Sequence, residues 1–146
     1  NIQLDAAPGN LKTAEGEALL RLADRERIDF FLNLHSAREI PHVIPPSGLN
    51  YPRNVETVMA IRRSWMAKQG LTEDQVPGEA SGQTDINNAV TLATGAAPMT
   101  FEFAALKKEP FENKLECGYR IVEAILEHGL HTPLADRRAI IRGNRK

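Results

Sequence analysis

The sequence predicts an α/β domain, and two observations carry this prediction. Segments with helical spacing of apolar residues alternate along the chain with short apolar runs that have the character of strands. The resulting order of helix, strand, loop, helix, strand and helix is typical of a mixed, mostly parallel sheet flanked by helices. A length of 146 residues with 42% hydrophobic and 25% charged residues fits one compact, soluble domain.

The N-terminal part of the chain predicts a loop, a helix and a strand. Residues 1–10 contain Pro and Gly without a sustained period, which indicates a loop. Thr13 has the character of an N-cap, and the run through Arg27 is spaced as an amphipathic helix. The apolar and aromatic run from Ile28 to Leu34 predicts a buried strand that ends at His35 and lies centrally in the sheet.

The middle of the chain predicts a long loop and a second helix. Residues 36–52 contain four prolines and indicate a structured loop, in which we interpret His42 as a surface residue rather than as one that approaches His35. Val55 to Lys68 shows the helical spacing of apolar residues, and Gly70 ends that helix. Residues 71–84 are polar and separate this helix from the next element.

The C-terminal part predicts three further helices. A short helix is expected from Asp85 to Thr94, and a long amphipathic helix from Phe111 to His128. A last short helix is expected from Pro133 to Arg142.

Two polar residues stand out in the predicted strands. Pro98 to Ala104 alternates as a strand, with Thr100 and Glu102 on one face. Burial of an unpaired carboxylate is costly, so Glu102 should have a partner, for which Arg38 is one candidate, or a chemical task. His35 lies at the C-terminal end of the first strand, which is where ligands bind in open α/β sheets.

Two segments containing these residues resemble the zinc carboxypeptidases of the carboxypeptidase A type. They are FFLNLHSA (Phe30–Ala37) and MTFEFAA (Met99–Ala105). In that family one strand ends in His-Ser and supplies a zinc ligand, and a later strand carries the glutamate that activates the zinc-bound water. The resemblance runs from Leu11 to Leu134, and the segment Ala80–Gly95 is similar to the bacterial and amidohydrolase-like branches.

The resemblance implies a carboxypeptidase-like, phosphorylase/hydrolase-like fold and a zinc-dependent hydrolase of peptide-like amides. It makes His35 a ligand of the zinc cofactor and Glu102 the catalytic general base and acid. It also implies substrate contacts from Ser36, Asp85 and Asn87. The chemistry is coherent, because zinc activates water and a nearby carboxylate takes up its proton.

Other parts of the family's site lack a counterpart in the chain. No H-x-x-E motif precedes His35. The family's arginines that bind a substrate carboxylate also have no counterpart upstream of His35. We therefore interpret residues 1–146 as the C-terminal portion of a longer metallopeptidase catalytic domain. The partners of this chain would be the missing N-terminal half of that domain and a peptide or amide substrate, and the fragment alone should be inactive.

Two alternatives follow from the same residues. The first is a non-catalytic binding domain that keeps the fold without the metal, and the second is an unrelated α/β domain. The formal net charge of -1, spread along the chain, argues against nucleic-acid or membrane-surface partners. The one cysteine, Cys117, excludes an internal disulfide and is expected to be buried. No signal-peptide pattern is visible, and the compartment stays open.

Overall fold

A computed structural model of the chain describes residues 14–45, 52–78, 86–104 and 110–128. Within these ranges, helices and strands alternate in an α/β order, which confirms the predicted class. The elements are α1 (Ala14–Glu26), β1 (Phe30–Arg38), β2 (His42–Ile44), α2 (Pro52–Gln69), a short 3-10 helix (Glu73–Gln75), α3 (Ile86–Thr94), β3 (Ala97–Ala104) and α4 (Phe111–His128). No helix in the described part of the chain is long and apolar enough to cross a membrane.

The four α-helices lie where the spacing of apolar residues predicts them. α2 ends at Gln69 and is followed by Gly70, whose φ of 66° is a left-handed conformation that glycine adopts without steric cost. α4 has the predicted bounds. The predicted loop over residues 1–10 and the predicted helix from Pro133 to Arg142 lie outside the described residues.

The described sheet has three strands in the order β1-β3-β2. β1 pairs with β3 in parallel, and β2 pairs with β3 antiparallel, so the sheet is mixed. The expectation that the first strand lies centrally is wrong for this sheet, because β3 takes the central place. Strand order depends on contacts between distant parts of the chain, which the apolar run that predicts β1 does not encode.

The segment after the first strand is more regular than a loop. β1 continues through His35 and Ser36 to Arg38, and β2 follows after a short turn. The predicted loop over residues 36–52 is therefore wrong for its first part, while residues 46–51 lie outside the described ranges. A strand can continue into polar residues, because successive side chains lie on opposite faces of the sheet and need not all be buried.

A buried arginine holds β2 in place. Arg62 on α2 donates from Nη1 to the carbonyl oxygens of Val43 (2.8 Å) and Pro77 (3.2 Å). Its Nη2 donates to Glu73 at 2.8 Å. A strand of three residues makes few ladder hydrogen bonds, so these side-chain bonds supplement the pairing of β2 with β3.

The two faces of the sheet pack against different helices. On one face, the ring of Phe101 meets that of Trp65 on α2 edge-to-face, with centroids 5.2 Å apart. This core includes Cys117 of α4, which is buried as predicted. On the other face, α1 and α3 pack together around Ala23 and Val90.

Candidate functional site

The pairing of the strands places three polar residues side by side. Glu102 on the central strand is the register partner of His35 on β1 and of His42 on β2. Directly paired residues project from the same face of a sheet, so the carboxylate lies between two imidazoles. Thr100 shares this face, which is the one on which α3 packs. We call His35, Glu102 and His42 the polar row.

The first two members of the polar row are in contact. Nδ1 of His35 lies 3.3 Å from Oε1 of Glu102. The Glu102 side chain is 6% exposed, whereas that of His35 is 46% exposed. The contact uses one ring nitrogen and leaves Nε2 as the nitrogen that can bind a ligand. His35 and Glu102 therefore project from the same face of the sheet.

The second carboxylate oxygen of Glu102 has no protein partner in the described ranges. Oε2 is buried there and accepts no hydrogen bond from those residues. An isolated buried carboxylate oxygen costs free energy, so such atoms in a fold often have a ligand or a reaction to serve.

His42 is not the surface residue that the sequence predicted. It is fully buried in β2, and its Nδ1 lies 2.8 Å from the carbonyl oxygen of Ile40. The expectation failed because the prolines around it predict a loop, although proline is compatible with a short strand at the sheet margin. The apolar Val43 and Ile44 directly after His42 were the signal for a strand.

The three predicted substrate contacts lie in different places. Ser36 is the register partner of Phe103, and both line a cleft beside α4, on the face opposite the polar row. Asn87 is buried on the face of the polar row and donates from Nδ2 to Oγ1 of Thr100 at 2.7 Å. Asp85 lies outside the described residues.

The structure supplies part of the donor set that a catalytic zinc needs. Imidazole nitrogen and carboxylate oxygen are zinc ligands, and such a site takes three protein ligands and a water. The described residues contain no group of three or more His, Cys, Asp or Glu side chains arranged to hold a metal ion. His35 fits such a site as one ligand and Glu102 as a carboxylate beside it, and further ligands would have to come from elsewhere.

Comparison of the chain with protein-family models, with curated proteins and with solved structures found no match. The features of this chain that bear on its function are therefore the geometry of the polar row and the two sequence motifs that contain His35 and Glu102.

Proposed function

We propose that this chain is part of a zinc-dependent amide hydrolase of the carboxypeptidase type. In this proposal His35 contributes one zinc ligand and Glu102 acts as general base and then general acid. The observation that carries it is the contact between a half-exposed histidine and a buried glutamate with one unpartnered oxygen. The same two residues belong to the two motifs that resemble the family.

The two oxygens of Glu102 support different roles. Oε1 faces His35 and orients the imidazole, as carboxylates commonly do for histidines that bind zinc. Oε2 has no described partner and is the oxygen suited to accept the proton of an attacking water. A bound zinc would supply Lewis acidity and a water of lowered pKa. Glu102 would then return the proton to the leaving amine.

The described residues do not complete the set of zinc ligands. The other ligands would come from an N-terminal half of the same catalytic domain. The reading frame that encodes this chain provides the first check. An H-x-x-E motif and an arginine encoded upstream of Asn1 are expected, and a frame that lacks both would contradict the proposal.

Zinc binding and turnover test the two roles separately. In the protein encoded by that frame, His35→Ala should lower zinc affinity by at least about 10-fold, since a ligand is lost. Glu102→Gln should retain zinc, with affinity lowered by no more than about 100-fold, because the amide still contacts the imidazole. Its turnover of a peptide amide should fall by about 100- to 10,000-fold, because an amide takes up no proton.

Glu112→Gln is the matched control, because Glu112 is an exposed glutamate at the start of α4. It should leave both zinc content and turnover unchanged. Normal turnover in Glu102→Gln would remove Glu102 from the chemistry, and unchanged zinc affinity in His35→Ala would remove His35 from the metal site.

A second candidate is a binding domain that keeps the fold without the metal. It is favoured by the contact between His35 and Glu102, which gives one oxygen of the buried carboxylate a partner within the fold. In that case the contact compensates the burial of the carboxylate and has no catalytic task. A protein that carries the upstream ligands but binds no zinc would support this second candidate.

A further inference from the structure

The short strand β2 brings His42 to the polar row. Each of its residues has a register partner on β3, and His42 is paired with Glu102. Directly paired side chains of neighbouring strands lie on the same face, with Cβ atoms about 5 Å apart. The imidazole of His42 is therefore the neighbour of the Glu102 carboxylate on the side of β2, as the imidazole of His35 is on the side of β1.

The two histidines of the polar row differ in exposure. The side chain of His35 is half exposed, whereas His42 is fully buried. The buried carboxylate of Glu102 thus has a solvated ring on one side and a buried ring on the other. The position of His42 therefore affects whether water reaches the carboxylate from the side of β2.

The ring of His42 is fixed relative to its own strand. Its Nδ1 lies 2.8 Å from the carbonyl oxygen of Ile40. A carbonyl oxygen only accepts hydrogen bonds, so Nδ1 is the nitrogen that carries a proton in this contact. The bond joins two residues of one short segment, and the place of the ring beside Glu102 therefore follows the position of β2.

Arg62 connects β2 to helix α2. Its Nη1 donates to the carbonyl oxygen of Val43, the residue that directly follows His42. The Arg62 side chain is 3% exposed, and its Nε is buried without a hydrogen-bond partner among the described residues. A buried guanidinium costs free energy even when it is paired, so its presence here is better explained by the fixing of position than by a gain in stability.

We propose that Arg62 is a positioning residue for the polar row, and that it holds His42 beside Glu102 through the carbonyl oxygen of Val43. This inference rests on the proposed function, in which Glu102 is the general base. Without the bond to Val43, β2 would shift and water would enter beside the carboxylate. A hydrated and less well oriented carboxylate accepts the proton of an attacking water less effectively.

Arg62→Met tests the proposal in the protein encoded by the full reading frame, because it removes the donors and keeps an unbranched side chain. Its kcat for a peptide amide should fall by about 10-fold or more, since small displacements near a reacting group are costly. Its zinc affinity should stay unchanged, because His35 lies on β1. Arg63→Met is the matched control, since Arg63 is the exposed neighbour on α2, and it should change neither quantity.

Nuclear magnetic resonance follows the position of β2 independently of turnover. In Arg62→Met, the amides of β2 should exchange at least about 10-fold faster relative to those of β1. The nuclear Overhauser effect between the His42 ring and the Glu102 side chain, expected in the wild type from their direct pairing, should be lost. A general loss of stability would instead speed exchange in both strands and preserve this effect in the folded molecules.

Glu73→Gln separates position from charge. Nη2 of Arg62 donates to the half-exposed Glu73 carboxylate, and an amide in its place still accepts while the bond to Val43 stays intact. The kcat and the protection of β2 in Glu73→Gln should therefore match the wild type. Equal losses in Glu73→Gln and Arg62→Met would overturn the proposal, because the effect would then come from charge compensation.

Two further results would overturn the proposal. One is a β2 strand in Arg62→Met that keeps both its protection and the contact between His42 and Glu102. The other is a normal kcat in Arg62→Met although β2 has shifted. Normal turnover in Glu102→Gln would contradict the proposed function alone, because the resonance measurements on Arg62→Met do not depend on turnover.

Discussion

The two faces of β3 lie on one strand and are built from opposite chemistry. Met99 and Phe101 project into an apolar core beneath α2 and α4. Thr100 and Glu102 project to the other face, where the partners are Asn87 and His35. β3 thus contributes to an apolar core on one side of the sheet and to a row of polar side chains on the other.

The difference lies in the side chains that fill each face. The apolar face is filled by rings and aliphatic side chains, with Phe101 also edge-to-face against Phe103 at 5.0 Å. The polar face holds Glu102 and Asn87, whose Oε2 and Oδ1 atoms are buried without a hydrogen-bond partner among the described residues. Nε1 of Trp65 in the apolar core is also buried without such a partner, so an unpartnered buried atom does not by itself distinguish the polar face.

The largest expected effect lies on the apolar face. Phe101→Ala should lower the free energy of unfolding by about 3–5 kcal/mol, because it removes a buried ring and leaves a cavity under Trp65. Urea denaturation in dilute protein provides the measurement. Phe111→Ala is the control, since Phe111 is 67% exposed and its loss should change unfolding by less than about 0.5 kcal/mol. A small effect of Phe101→Ala would remove the distinction between the faces.

A smaller and asymmetric effect is expected on the polar face. His35→Ala should cost about 1–3 kcal/mol, because it removes the side chain that contacts a buried carboxylate. Glu102→Gln should change stability by less than about 1 kcal/mol, because the histidine left behind is half exposed and stays solvated. Chemical denaturation of both variants at neutral pH measures the difference. Equal costs would show that the pair acts as a structural ion pair.

The smallest effect concerns the surface between α2 and α4. A hydrogen bond from Lys68, together with one from Ser64, lowers the pKa of Glu127 below its ordinary value. A lowered carboxyl pKa stabilises the fold above the ordinary glutamate pKa, and this contribution is lost as the pH falls through the lowered value. The difference in unfolding free energy between wild type and Glu127→Gln should therefore shrink to zero in acid. It should also shrink with added salt. A difference that stays constant with pH would contradict this explanation.

The sequence predicts the helices well, because their signal is local. Apolar spacing defines α2 and α4, and alternation defines β3 with Glu102 on one face. β2 was missed because three residues between prolines carry little periodicity. The place of β1 at the margin of the described sheet was missed because strand order is a property of distant contacts.

The candidate site, too, was predictable only where its signal is local. His35 and Glu102 stand out as polar residues in apolar strands, and the register of β1 and β3 brings them together. His42 reaches the polar row only through the antiparallel pairing of β2, which no local pattern predicts. Burial of Asn87 against Thr100 likewise depends on the packing of α3.

The hydrogen bonds that Arg62 donates affect which substitutions the chain tolerates. Two of its three acceptors are main-chain oxygens, at Val43 and Pro77, so these bonds do not depend on the side chain at either position. Lysine has a single ammonium group and lacks the planar fork that spreads donors over separated acceptors. Among relatives of this chain, position 77 should therefore vary more freely than position 62, where arginine should be retained.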